Sequence, residues 1–209
     1  MQFSILKIAV ATLAVCTDLA LAQTLVASPA QVASSLQMLA DKTQSLQGPA
    51  LALDVFQGAG LLFGQGKLVP VVAGIAELTS MASTLQSQWN NVQVTEAADV
   101  DNIANAFRDL VRQQQTFLNT LSSKAGLAST FPLIGGPMST ALQQLNSVLG
   151  ALGFSTLSMV SSRATDLQSQ ITTLNQAMDR AIAAYSGINL ANKKRSISRR
   201  DAFRASIRA

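Results

Sequence analysis

Glycines at 58, 60, 64 and 66, closing on Lys67, form the stretch of this sequence that most invites a chemical reading, because glycine-rich turns ahead of a lysine cradle phosphates. Both phosphate patterns fail on inspection. G-x-G-x-x-G would need its third glycine where Phe63 stands, and a Walker-type loop would need glycine at Leu61 and a hydroxyl residue at Leu68. The segment reads instead as a flexible link between helices that could act as a flap over a cavity. Carboxylates are the next candidates. Asp99 and Asp101 stand two apart, so on a helix they point away from each other and suit the start of that helix better than joint acid–base work. Asp166 and Asp179 carry no glycosidase signature. The chain has no histidine, and its one cysteine is Cys16. Ser-His-Asp and Cys-His catalysis and histidine or thiolate metal sites are therefore beyond its inventory. No catalytic residue, metal or cofactor is assigned, and the expected class is non-enzymatic.

Cys16 lies in a leader. Lys7, the apolar run Ile8 to Val15 and the small-x-small triplet Ala20-Leu21-Ala22 have the layout of a secretory signal peptide, with cleavage after Ala22. The apolar run is too short to span a bilayer of roughly 30 Å as a helix. The expectation is a secreted protein, extracellular or in the cell wall, whose mature form has no thiol and must hold together by burial alone. Lacking a cysteine framework, it cannot be a hydrophobin.

The net charge of +4 is a property of the tail. Between Gln23 and Asn192 seven basic residues face nine acidic ones, while residues 193–209 carry seven basic residues against Asp201. So weakly charged a body, 5% aromatic overall, does not suit nucleic acid. The domain organisation expected is a signal peptide at 1–22, a helical domain at 23–192 and a basic, disordered tail at 193–209. The dibasic pairs Lys194-Arg195 and Arg199-Arg200 make Arg195 and Arg200 candidate processing sites, and the tail could also adhere to acidic wall polysaccharide or anionic lipid. No N-glycosylation acceptor occurs in the mature chain, so any mannosylation would be O-linked.

The body repeats apolar residues at helical spacing. One stripe reads Val100, Ile103, Phe107, Leu110, Gln114, Phe117/Leu118 and Leu121, within Glu96 to Lys124. A second reads Leu68, Val71/Val72, Ile75, Leu78, Ala82, Leu85 and Trp89, and a third runs from Leu157 through Val160, Ala164, Leu167, Ile171, Leu174, Met178 and Ala181 to Tyr185. Ser28-Pro29-Ala30-Gln31 forms a helix start with a capping box, and Gly48-Pro49 is expected to end or kink that helix. Gly126 and Gly187 are read as C-terminal caps, Phe131-Pro132 and Gly135-Gly136-Pro137 as a connection, Met138 to Leu149 as a short helix, and Gly150 with Gly153 as its separation from the last long helix. The fold class expected is all-α: an antiparallel bundle of five or six helices, with room for an elongated apolar cavity.

Stripes on several helices make a core first of all. The abundance of Ala, Ser, Thr and Gln beside them adds the prospect of a tunnel, which suits a fatty acyl chain. Burying about fourteen methylenes at roughly 0.8 kcal/mol each gives a gross gain near 11 kcal/mol before association costs. Mid-helix stripe positions are the candidate lining: Ile75, Leu78, Phe107, Leu110, Leu145, Leu149, Leu167 and Ile171. Phe107→Asp is expected to abolish binding without unfolding the chain.

The leader, Ala30 to Leu46, Ala-Gly-Ile-Ala-Glu-Leu at 73–78, Asp99-Val-Asp-Asn-Ile103 through Leu121, Phe131-Pro132-Leu133 and Leu157 to Tyr185 together resemble the fungal hydrophobic surface-binding protein A and cell wall galactomannoprotein family, over Val26 to Ser186. The resemblance implies a secreted, wall-associated protein that adsorbs to hydrophobic solids. Some members enclose fatty acids in a helical bundle, some are mannosylated antigens, and some are thought to recruit hydrolases to solid polyester. No short motif defines the family's binding site, so no residue role is carried over. This sequence lacks the Ser/Thr-rich stalk and apolar C-terminus of anchored mannoproteins, so no GPI link is expected. The expected partners are a fatty acid or other lipid, or a hydrophobic surface, with wall polysaccharide or a recruited hydrolase beyond these. The alternative is a structural wall mannoprotein without a specific ligand.

Overall fold

The computed structural model describes residues 27–53, 68–89, 92–126 and 132–208, the side chains of 132–134 and 187–208 excepted. The leader with Ala22, and the glycine-rich segment with its proposed flap, lie outside the described residues. Among the described residues five α-helices follow one another: α1 (Pro29–Leu51), α2 (Leu68–Gln88), α3 (Ala97–Lys124), α4 (Pro132–Met159) and, after a 3-10 turn at Ser161–Arg163, α5 (Ala164–Arg208). No strand occurs among the described residues. The chain is an all-α bundle, as its periodicity requires.

α1 starts where its cap dictates. The Ser28 N–H donates to Gln31 Oε1 at 2.8 Å and the Gln31 N–H donates back to Ser28 Oγ at 3.3 Å, so two otherwise orphaned donors are satisfied. Pro29 at the first helical position needs no donor. Gly48-Pro49 does not stop the helix, which continues to Leu51. α3 spans the stripe read from sequence: Ile103, Phe107, Leu110, Gln114, Phe117, Leu118 and Leu121 are all buried.

Several boundaries differ from the sequence reading, each for a physical reason. α4 absorbs Gly135-Gly136-Pro137, Gly150 and Gly153 into one helix. Pro132 occupies its first position, where a missing N–H costs nothing. Gly153 is a packing residue and not a terminator: a Cβ there would sit 3.1 Å from Ile171 Cγ1 and 3.4 Å from Phe107 Cζ, so its absence lets three helices approach. The break comes later, at Val160, with φ −118° and ψ 55°. α3 ends at Ala125, which is right-handed (φ −60°), so Gly126 is not the cap. α5 runs through Gly187 without capping there and continues to Arg208, so the backbone of 193–208 is helical where a disordered tail was expected. Only Gly187 in that stretch is a poor helix former.

The packing pairs close a ring. α1 packs on α3, α3 on α5, α5 on α4, α4 on α2, and α2 back on α1. Directions follow from the cross-links. Lys42 pairs with Glu77 while Leu46 lies against Gly74, so α1 and α2 are antiparallel. Asp101 pairs with Arg163, Arg108 with Asp166, and Leu121 with Tyr185; both numbers rise together, so α3 and α5 run side by side in parallel. α2 is long and apolar enough to cross a membrane by length and composition, yet it sits in the ring between α1 and α4.

Gly74 sets the α1–α2 approach, because a Cβ there would collide with the terminal methyls of Leu46. Gly74→Val is expected to lower the unfolding free energy by about 1–3 kcal/mol through overpacking. Gly48→Ala, where nothing lies within 4 Å of the added carbon, is expected to raise it by roughly 0.5–1 kcal/mol. Urea melts of the two variants check this pair; equal shifts would contradict the close approach.

Candidate functional site

A ring of five helices has a consequence that a ring of four lacks. At interaxial distances of about 9–10 Å, five axes lie roughly 8 Å from the centre and four lie roughly 7 Å from it. A helix with its side chains has a radius of about 5–6 Å. Average side chains therefore meet at the centre of a four-membered ring, but leave an axial column about 4–6 Å wide in a five-membered one. That is the girth of a polymethylene chain. Either large side chains fill the column or a ligand does.

The candidate residues face this interior from four of the five helices. Ile75 and Leu78 come from α2, Phe107 and Leu110 from α3, Leu145 and Leu149 from α4, and Leu167 from α5, all buried in one apolar cluster. Ile171 is only partly buried and packs on the edge of that cluster, against Gly153. Phe107 is 1% exposed. A carboxylate at that depth cannot be hydrated, so Phe107→Asp must unfold the bundle, which corrects the expectation that it would spare the fold. The helix missed by the candidate set is α1, whose Leu36, Leu39 and Leu46 are as deeply placed. The helical spacing of Val32, Leu36 and Leu39 already marks that face of α1 as inward in the sequence, although none of them is in the candidate set.

The largest fully buried side chains include Tyr185, Phe107, Phe117 and Met138. The hollows described lie at the surface and do not form the elongated interior cavity expected from the sequence. One, of about 260 Å³, is a groove between α1 and α2 lined by Met38, Ser80, Met81, Thr84, Leu85 and Gln88. The other, of about 510 Å³, lies along the polar face of α5 from Ala164 to Thr173.

Polar groups inside the ring are few and specific. Thr43 of α1 and Gln114 of α3 are each 0% exposed. Gln114 Nε2 donates to Thr43 Oγ1 at 2.8 Å, and the Thr43 hydroxyl donates to the Leu39 carbonyl at 2.8 Å. Among the described residues Gln114 Oε1 has no hydrogen-bond partner, and neither does the buried Trp89 Nε1–H beyond the end of α2. Tyr185 caps a helix end. Ala125 N–H bonds Ser122 O, which leaves the Leu121 carbonyl without its i+4 donor, and the Tyr185 hydroxyl donates to it at 2.9 Å. Burial pushes the Tyr185 pKa from 10.0 up to about 12.

Two of the four acidic residues weighed above as chemistry, Asp101 and Asp166, serve as struts. Asp101 accepts two bonds from Arg163, and Asp166 accepts one from Arg108 at 2.6 Å, tying α3 to the start of α5. These pairs are about half-exposed, so each contributes at most about 1 kcal/mol. Asp179 is exposed, far along α5. No group of His, Cys, Asp or Glu able to hold a metal occurs among the described residues. Arg195 and Arg200 fall on the helical backbone of α5, with side chains outside the described residues.

No protein-family model matches the chain, and no curated protein does. Among solved structures it is similar to the Aspergillus fumigatus protein AfMP4p, determined in complex with palmitic acid, at 19% identity and a TM-score of 0.66. The match covers 76% of this chain and 99% of that one. The chain thus shares its all-α fold with AfMP4p.

Proposed function

We propose that this chain is a secreted, non-enzymatic binding protein that takes a fatty acyl chain along the axis of its helical ring, and that it belongs with the wall-associated surface-binding and galactomannoprotein proteins its sequence resembles. The observation that carries the reading is the ring itself. The five helices surround one shared interior, each contributes buried apolar residues to it, and a protein sharing the fold was crystallised with palmitic acid. Binding requires the large interior side chains to turn aside, which exchanges contacts among themselves for contacts with the ligand. Methionine at 138 is suited to that repacking, being unbranched and polarisable.

Secretion and wall association rest on the leader and on the resemblance. Absence of catalysis rests on the residue inventory, with no histidine and no mature cysteine. Adsorption to a hydrophobic solid would use the same apolar interior, opened outward, since no disulfide locks the helices together.

The test is a titration of lipid-extracted protein with a fluorescent fatty acid, with far-ultraviolet circular dichroism to establish that the protein is folded. Saturable binding in the micromolar range or tighter is expected. A flat titration in folded protein would leave the structural wall protein as the better account.

A further inference from the structure

We propose that Gln114 Oε1, held in place by Thr43, anchors the polar end of the bound chain and selects ligands whose head group carries a neutral O–H donor. This rests on the acyl-binding reading above and adds to it which head group the interior accepts.

Thr43 lies mid-way along the buried face of α1, between Leu39 and Leu46, and Gln114 mid-way along that of α3, between Leu110 and Phe117. They form a polar pair across the interior, apart from Ser139 and Thr156, whose hydroxyls bond carbonyls of their own helix. The orientation of the Gln114 amide is fixed by its neighbour. The Thr43 hydroxyl spends its hydrogen on the Leu39 carbonyl, so it presents lone pairs to Gln114 and calls for the amide's N–H. Turned over, the amide would set its oxygen against the threonine oxygen, two acceptors at 2.8 Å with no hydrogen between them. The carbonyl oxygen must therefore point away from Thr43, and there it has no donor among the described residues. An acceptor stripped of water and left unpaired is destabilising, which is what a ligand donor would relieve.

The missing partner is defined by chemistry. It must donate, so an ether or ester head group does not serve. It must also be neutral: no Lys or Arg among the described residues is buried, so an ionised carboxylate beside this pair would face a carbonyl oxygen with no counter-charge. An alcohol meets both conditions, and so does a carboxylic acid that keeps its proton. Both supply the same O–H.

The experiment uses the full secreted chain, stripped of lipid and loaded with a fluorescent acyl probe. Displacement is measured with 1-hexadecanol, with its methyl ether, and with palmitic acid. In the wild type the alcohol should displace the probe at about tenfold lower concentration than the ether. In Gln114→Leu the two should become equal, with the ether unchanged from wild type. Thr43→Val, which frees the amide to turn, should give an intermediate ratio and serves as the second test if Gln114→Leu does not fold. Calorimetry in two buffers of different ionisation enthalpy separates the two sources of the O–H, since palmitic acid bound in its neutral form must take up a proton. Equal displacement by alcohol and ether in the wild type overturns the proposal, as does a preference that survives Gln114→Leu, or palmitate bound more tightly than the alcohol with no proton uptake. Failure of the stripped, folded chain to take up the acyl probe at all would instead overturn the acyl-binding reading itself.

Discussion

Phe107→Ala is expected to remove about 3–5 kcal/mol of unfolding free energy, a large part of the roughly 5–15 kcal/mol that holds a domain folded. Phe107 lies where three helices meet. Its ring edge sits against the bare Cα of Gly153 on α4, with Ile171 of α5 alongside, and the residue itself is on α3. Truncation leaves a cavity at that junction, and Gly153 has no side chain to move into it. A urea melt followed at 222 nm measures the loss directly. A loss below about 1 kcal/mol would mean that the ring can collapse around the missing side chain, and that its centre is less rigidly packed than the burial implies. If the variant remains folded at low temperature, it also bears on function. The added space is apolar, so acyl binding should tighten where stability falls, and that opposition is not expected of a protein in which Phe107 is only core.

Tyr185 gives the second large effect, and it is confined to alkaline solution. The folded-state pKa is raised from 10.0 to about 12 because burial disfavours the phenolate. Below pH 10 the phenol is neutral in both states and its contribution to stability is complete. Between pH 10 and 12 the unfolded chain releases the proton while the folded chain does not, so stability falls by about 1.4 kcal/mol per pH unit, or about 3 kcal/mol across the interval. Tyr185 is the sole tyrosine, so tyrosinate absorbance reports it alone. Tyr185→Phe should cost about 1 kcal/mol at neutral pH, by uncapping the Leu121 carbonyl, and should remove this tyrosine's share of the alkaline slope. The gap between the two proteins is thus expected to close and then reverse as pH rises. Parallel curves from pH 9 to 12 would show that the hydroxyl is open to water.

The sequence made α3 readable because every third or fourth position is apolar and acidic residues open the helix, so local pattern and final burial coincide from Ile103 to Leu121. The capping box at Ser28 was equally legible, being a contact between residues three apart. α4 was not. Its glycines look like punctuation in one dimension, and only the approach of Ile171 and Phe107 shows that Gly153 is bare to make room. The break at Val160 hides inside a continuous apolar stripe, with Ser161-Ser162 as its sole local sign.

Seven of the eight candidate lining residues lie in the buried cluster, which periodicity can foresee. Periodicity cannot foresee which helices become neighbours. The closure of α2 between α1 and α4, and with it the five-membered ring, belongs to the tertiary arrangement alone. The same holds for the polar pair. Gln114 stands in its stripe as a mild irregularity, and its unpaired oxygen emerges only when Thr43, 71 positions away, takes up the amide's hydrogen.

Acyl binding requires an interior that admits one long apolar chain lengthwise. Native mass spectrometry of the mature protein, equilibrated with palmitic acid and then freed of excess lipid, tests that most directly. A single adduct of one acyl chain per protein, retained at collision energies that strip surface-bound lipid, is the result predicted. Bare protein, or a ladder of adducts growing without limit as lipid is added, would contradict it.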